Sequence, residues 1–224
     1  MSENKQAFTG MAGLADANGE WNKLQFAIRQ VMNRMATTNL VQVKAVEETP
    51  DGWTVDVQPM VAQVDGAGNA VPHGVVHNLP VWRVQGGTSA VIVVPVVGDI
   101  GIAVFASTDI SGVKRAKEPT TPGSGRRFDW ADGMYLGGIL NALPSQFIRM
   151  DETGITITAG DGLPVTINAP GGLNIIAPTT AFTGDVTATG DLTTGPGSTF
   201  NGKSFDEHTH GGVQTGSGTS GPPS

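Results

Sequence analysis

Apolar residues near the start of the chain recur in steps of three and four. Trp21, Leu24, Ile28, Val31, Met32 and Met35 thereby share one face of a helix over residues 20–36. That face precedes the first strand, so it is expected to pack on the following domain or on a partner. From Leu40 the period changes to two. Residues 40–46 and 53–57 alternate, and Pro50 with Asp51-Gly52 marks a turn between them. Residues 61–64, 81–84, 90–94 and 101–105 read as further strands, with turns at 66–69 and at Gly98-Asp99. About five short antiparallel strands in this span predict a small closed barrel, of which the OB-fold is the common example. Residues 114–127 are basic and rich in Pro, Gly and Thr, and read as a loop.

Beyond residue 150 the pattern changes again. Residues 154–158, 165–168, 173–176 and 185–189 alternate in short runs separated by Pro and Gly. Each run offers only one or two apolar positions, mostly Ile, Val, Leu and Ala. So few residues cannot enclose a core alone, since small folds are already marginal. The runs must stack on themselves, on other chains, or both. A single-chain β-helix needs more coils than about 50 residues provide. Three intertwined chains, each forming one face of a triangular prism, remove the difficulty: Ile and Val meet at the centre while Thr and Asn face water.

Composition supports a division near residue 150. Residues 1–150 carry 12 Lys/Arg against 13 Asp/Glu, whereas residues 151–224 carry only Lys203 against seven acids. Trp21, Trp53, Trp82, Trp130 and the single Tyr135 all lie in the first part. Charged residues are only 15% of the 224 and Gly numbers 32, which fits short strands and tight turns rather than a charged disordered chain. The net charge of −7 disfavours a general nucleic-acid binder, which carries a basic patch. With no cysteine, disulfides, thiolate metal sites and cysteine nucleophiles are excluded. No apolar run reaches the length of a membrane-spanning helix. The first ten residues do not read as a secretory signal, so action outside the cell requires another route, such as lysis.

The candidate chemistry lies near the end, at His208 and His210. Two residues apart on an extended chain, their imidazoles face the same way and Thr209 faces the other. Two ligands make a weak site, but a three-fold axis makes them six nitrogens in two layers of three, an octahedron. Zn²⁺ prefers four ligands in a tetrahedron, and imidazole also suits Fe and Ni. The set therefore points to Fe²⁺, with Ni²⁺ also fitting. Protein would fill every position, so the ion would be structural. His73 and His77 flank the turn at 72–74 and read as ordinary non-ligand histidines. An enzymatic reading is poorly supported: Asp206 and Glu207 are adjacent and would point to opposite faces of a strand, unlike a hydrolase's spaced carboxylates. Arg126, Arg127, Phe128 and Trp130 come nearest to a nucleic-acid surface, though the same cluster would serve a protein interface.

Four features together resemble the baseplate assembly protein V and membrane-puncturing central spike family of contractile-tailed phages. They are Val94-Pro-Val-Val-Gly-Asp-Ile-Gly-Ile-Ala-Val-Phe105 within the strand set, Arg126-Arg-Phe-Asp-Trp-Ala-Asp132 after it, the Thr/Asn-rich run of short strands, and the ending His208-Thr-His-Gly-Gly-Val-Gln-Thr-Gly-Ser-Gly-Thr-Ser-Gly-Pro-Pro223. The resemblance spans roughly residues 38–224. It implies an all-β homotrimer: an arm and helix at 1–38, an OB-fold barrel at 39–110 seated on a trimeric tail hub, a linker at 111–150, an intertwined β-helix shaft at 151–203 and a metal-binding tip at 204–224. It further implies one iron per trimer, held by His208 and His210 of each chain. Some relatives also bury chloride or calcium on the axis, and no residue here is assigned to those. The implied role is mechanical and not enzymatic: a rigid needle at the baseplate tip of the virion, made in the host cytoplasm, that pierces the host outer membrane and binds no nucleic acid. The spike of a contractile bacteriocin or secretion machine obeys the same physics. Larger relatives insert a lysozyme-like domain between barrel and shaft, for which residues 106–150 leave no room.

Overall fold

The computed structural model describes residues 19–33, 35–65, 67–201, 203, 204 and 216. They are mostly β, with a single helix longer than two turns. The chain divides after Pro164 into two compact units.

In the first unit, α1 (Glu20–Asn33) precedes β1 (Thr38–Thr49), β2 (Gly52–Pro59), the small hairpin β3 (Gln63–Val64) and β4 (Ala70–Val71), and β5 (Val76–Pro80). A second small hairpin follows, β6 (Val84–Gly86) and β7 (Ser89–Val91), then β8 (Ile100–Phe105), the short helix α2 (Ser111–Ala116) and β9 (Gly133–Gly138). Finally β10 (Phe147–Asp151) pairs with β11 (Gly154–Thr158). The apolar stripe expected on α1 is present, but Trp21, Leu24, Ile28, Val31 and Met32 are exposed, so this chain's barrel does not cover them.

Five strands form one antiparallel sheet in the order β5-β2-β1-β8-β9. The long β1 makes this possible by pairing with two neighbours. Its first part, from Thr38 to Gln42, lies against β8, and its length from Val41 to Thr49 lies against β2. A register shift between Val43 and Ala45 bends it, as bulges do. The sheet then meets itself. Val81 bridges Tyr135 in parallel, and the Trp82 N–H donates to the Tyr135 carbonyl at 2.7 Å. Alternation along β1, β2 and β8 directs Val41, Val43, Val55, Val57, Ala103 and Phe105 inward. Leu79 and Tyr135 complete the core from the two strands that close the sheet. Tyr135 lies so close over Gly101 that a Cβ there would meet both its ring and the Gly137 carbonyl.

Several sequence expectations change. β5 and β9 were not legible as strands. Asn78 adopts a positive φ of 58° that interrupts alternation in β5, and β9 contains three of the chain's glycines. The core sheet thus draws β9 from the segment read as a linker. The basic stretch 114–127 is not all loop, because α2 runs to Ala116 and ends on Lys117 in the left-handed region. Residues 92–94, expected to continue a strand, lie beyond the end of β7 and join no ladder.

In the second unit, the runs at 165–168, 173–176 and 185–189 are not strands within the single chain, because none finds a ladder partner. Among the described residues of this unit, only the short hairpin β12 (Thr199–Phe200) and β13 (Lys203–Ser204) pairs. Val165, Ile167, Leu173, Ile175, Ile176, Phe182, Val186 and Leu192 are 59–91% exposed. Among the described residues no helix is long and apolar enough to cross a membrane.

Candidate functional site

His208 and His210 lie outside the described residues, as do Thr209, Asp206 and Glu207. The last described strand, β13, ends at Ser204, four positions before His208. The case for metal at this end therefore rests on its donor set. Two imidazoles per chain cannot saturate an ion, whereas six from three chains would, and imidazole nitrogen is a donor of the kind iron and nickel accept.

The other two histidines are engaged elsewhere. His77 Nδ1 lies 2.6 Å from Asp56 Oδ2, and the Asn78 N–H donates to Asp56 Oδ1 at 3.0 Å. Burial opposes ionisation of Asp56, but the Asn78 amide and His77 outweigh it, so the carboxyl sits below its ordinary value. The His73 ring packs against Trp130 with centroids 5.2 Å apart, and its carbonyl accepts from Gln58 Nε2. Among the described residues no three His, Cys, Asp or Glu side chains gather as a metal site.

The cluster at 126–130 serves the barrel's own architecture. Arg126 reaches back between two buried carboxylates, with Nη2 3.0 Å from Asp109 Oδ1 and 3.1 Å from Asp132 Oδ1. Asp109 also accepts from the Ser111 N–H at 2.8 Å and from Ser124 Oγ at 2.6 Å. Asp132 accepts from the Ile110 N–H. Lys114 Nζ caps the arrangement on the carbonyls of Ala131 and Gly133. Trp130 turns its ring edge-on to Phe105, centroids 4.8 Å apart. Two of the four residues that came nearest to a base-stacking surface are thus used to tie the loop between β8 and β9 onto the barrel. Sequence reading missed Asp109 and Asp132 as the anchors. The available signal was two acids bracketing a basic, Ser-containing loop.

These contacts make the loop acid-sensitive. Hydrogen bonds from Ser111 and Ser124 hold the Asp109 carboxyl at about 2, below its ordinary 3.8. A depressed folded-state value means that the stabilisation is complete above about pH 4 and is lost as pH falls toward 2. Amide-exchange protection across residues 109–126 is expected to hold at pH 5 and to decline between about pH 4 and pH 2. Asp109→Asn should remove that decline. Equal acid profiles in the two proteins would show that Asp109 does not anchor the loop.

A family model for the GpV Apex motif matches residues 204–224. No curated protein matches the chain. The matched segment contains both His208 and His210, and it supports the resemblance to the baseplate assembly protein V and central spike family.

Proposed function

From the apex match, which points to a phage baseplate spike protein, we propose that three copies of this chain form the central spike of a contractile tail. The supporting observation is the second unit, in which, among the described residues, eight large apolar side chains stand exposed without a ladder partner in a single chain. Exposed runs of this kind are costly in a monomer and mark an interaction surface. Copies of the same run supply both the missing strands and the missing core, giving a triangular shaft over residues 165–203.

In this reading the first unit is a barrel of the OB type. Its strand order with a parallel closing bridge is consistent with that assignment. It seats the spike on a trimeric hub of the baseplate, while the shaft carries force to the tip. A narrow, rigid trimer concentrates the force of sheath contraction on a small area of the host outer membrane. The role is mechanical and not catalytic. His208 and His210 of each chain would hold the iron, which supplies a cross-link between three chain ends that otherwise fray.

Light scattering of the full chain tests the assembly and is expected to return three times the 23.1 kDa chain mass. A shortened chain ending at Pro164 should keep the β-rich circular dichroism of the barrel and dissociate toward monomer. A monomeric full-length protein with ordered residues 165–203 would overturn the shared-core argument.

A further inference from the structure

The hairpin of β6 and β7 carries an apolar surface that the rest of the first unit does not cover. Val84 directly opposes Val91 in that hairpin, so their side chains share a face. Trp82 and Val93 lie two positions beyond them, on the same side of an extended chain. All four are 58–78% exposed. Past β7 the chain runs on through Ile92, Val93 and Val94 with no turn, bend or helix. Ile92 and Val94, which alternate to the other side, are exposed as well. Among the described residues, these three join no ladder and make no other backbone hydrogen bond. From Val84 to Gly98 the sequence holds no charged residue. Sheet edges are ordinarily guarded by Lys, inward charges, bulges or a covering element, and this one has only Pro95 at its end.

We propose that residues 90–94 are a strand-addition site: an extended, uncharged segment of a different protein lies beside them, pairs with their backbone and sets alternate aliphatic side chains on the Trp82, Val84, Val91 and Val93 face. The inference concerns the first unit alone and stands whether or not the chain trimerises. The backbone decides the kind of partner. Lipid tails or an apolar helix would cover the side chains but leave the N–H and C=O groups of residues 92–94 unpaired away from water, which is unfavourable. A strand satisfies both. The absence of charge decides its chemistry, because a charged segment laid on this face would be desolvated with no counter-charge to meet. The six exposed side chains offer on the order of 600 Å², at the top of the range for the largest patch on a monomer. That is most of the roughly 800 Å² that one partner contributes to a standard interface, and the paired backbone adds to it. Pro95 sets the limit of the site: it is buried and has no N–H, so pairing ends before it.

The probe is a blocked peptide, acetyl-Lys-Thr-Val-Thr-Val-Thr-Val-Lys-amide, whose Val residues share one face. Hydrogen exchange read by mass spectrometry on the full-length protein follows the amides of residues 90–94. Saturating peptide is expected to slow their exchange at least about tenfold and to leave the rest of the barrel unchanged. Val93→Lys puts a charge on the face and should abolish the slowing. It should keep the wild-type thermal midpoint, because Val93 is 78% exposed. The same peptide N-methylated at every residue keeps its side chains but has no N–H to donate, and should have no effect. Equal protection by the methylated peptide would overturn strand addition and leave an unspecific apolar patch. Protection by phosphatidylcholine vesicles and not by the peptide would make the surface a lipid contact instead. If these amides already exchange slowly in the free protein, a second copy or the chain's own residues 1–18 occupies the edge and the proposal fails. It fails equally if they exchange fast and the peptide leaves them so.

Discussion

Alanine at both His208 and His210 is expected to reduce bound iron from about one ion per three chains to none, without dissociating the trimer. In the proposed site the ion would depend on six imidazole nitrogens, and each substitution alone would remove half of them. Either single variant should therefore lose most of the metal as well. The trimer persists because the apolar residues proposed to hold it, from Val165 to Leu192, all precede the tip. Thr209→Val should keep its iron, since on the extended chain proposed for the tip residue 209 would face away from its two neighbours. Imidazole binds metal only when neutral, and its unperturbed pKa is about 6.5. Protons therefore compete for the same nitrogens, and iron should be released as pH falls. Six ligands acting on one ion should carry retention below that pKa. Elemental analysis and light scattering on the same samples decide the matter. Stoichiometric iron in the double variant would end the assignment of these two residues.

Gly101→Ala is expected to destabilise the first unit at or above the ~3 kcal/mol upper end of the usual overpacking range. Gly101 is buried on β8, beneath Tyr135, which is almost wholly inaccessible to solvent. An added Cβ would enter the Tyr135 ring and the Gly137 backbone carbonyl. The ring cannot swing aside, because Tyr135 belongs to the core where β9 meets the end of β5. The carbonyl cannot retreat without loosening the pairing of β8 with β9. Gly74→Ala is the matched control, since a Cβ there meets open space, and its effect should lie within about 0.5 kcal/mol. Urea denaturation followed by tryptophan fluorescence compares the two variants. Equal midpoints would mean that the close approach of Tyr135 to Gly101 does not hold the barrel shut.

Much of the fold was legible because its signals are local. Alternation over a few residues marked β1, β2 and β8, since a strand with one buried face must repeat every two positions. Pro50 with Asp51-Gly52 located the turn between β1 and β2, which the Thr49 hydroxyl closes onto the Gly52 carbonyl. The change of composition and the scarcity of apolar positions after residue 150 were enough to argue that the end of the chain cannot bury itself. The distinctive ending was likewise readable from the residues alone, and it is the segment that the GpV Apex motif matches.

What the sequence left open depended on which distant groups meet. β9 looks like a glycine-rich linker until the structure sets it between β8 and the end of β5, where small residues permit close approach. Arg126 reads as a surface cation until Asp109 and Asp132 are found on either side of it, 17 and 6 positions away. The strand at Gly154–Thr158 was visible from its alternation, but its partner Phe147–Asp151 was not. Only the register between them gathers four apolar residues on one face. Periodicity fixes which side of a strand a residue occupies. Pairing and register, which join residues far apart in the chain, decide what that side meets.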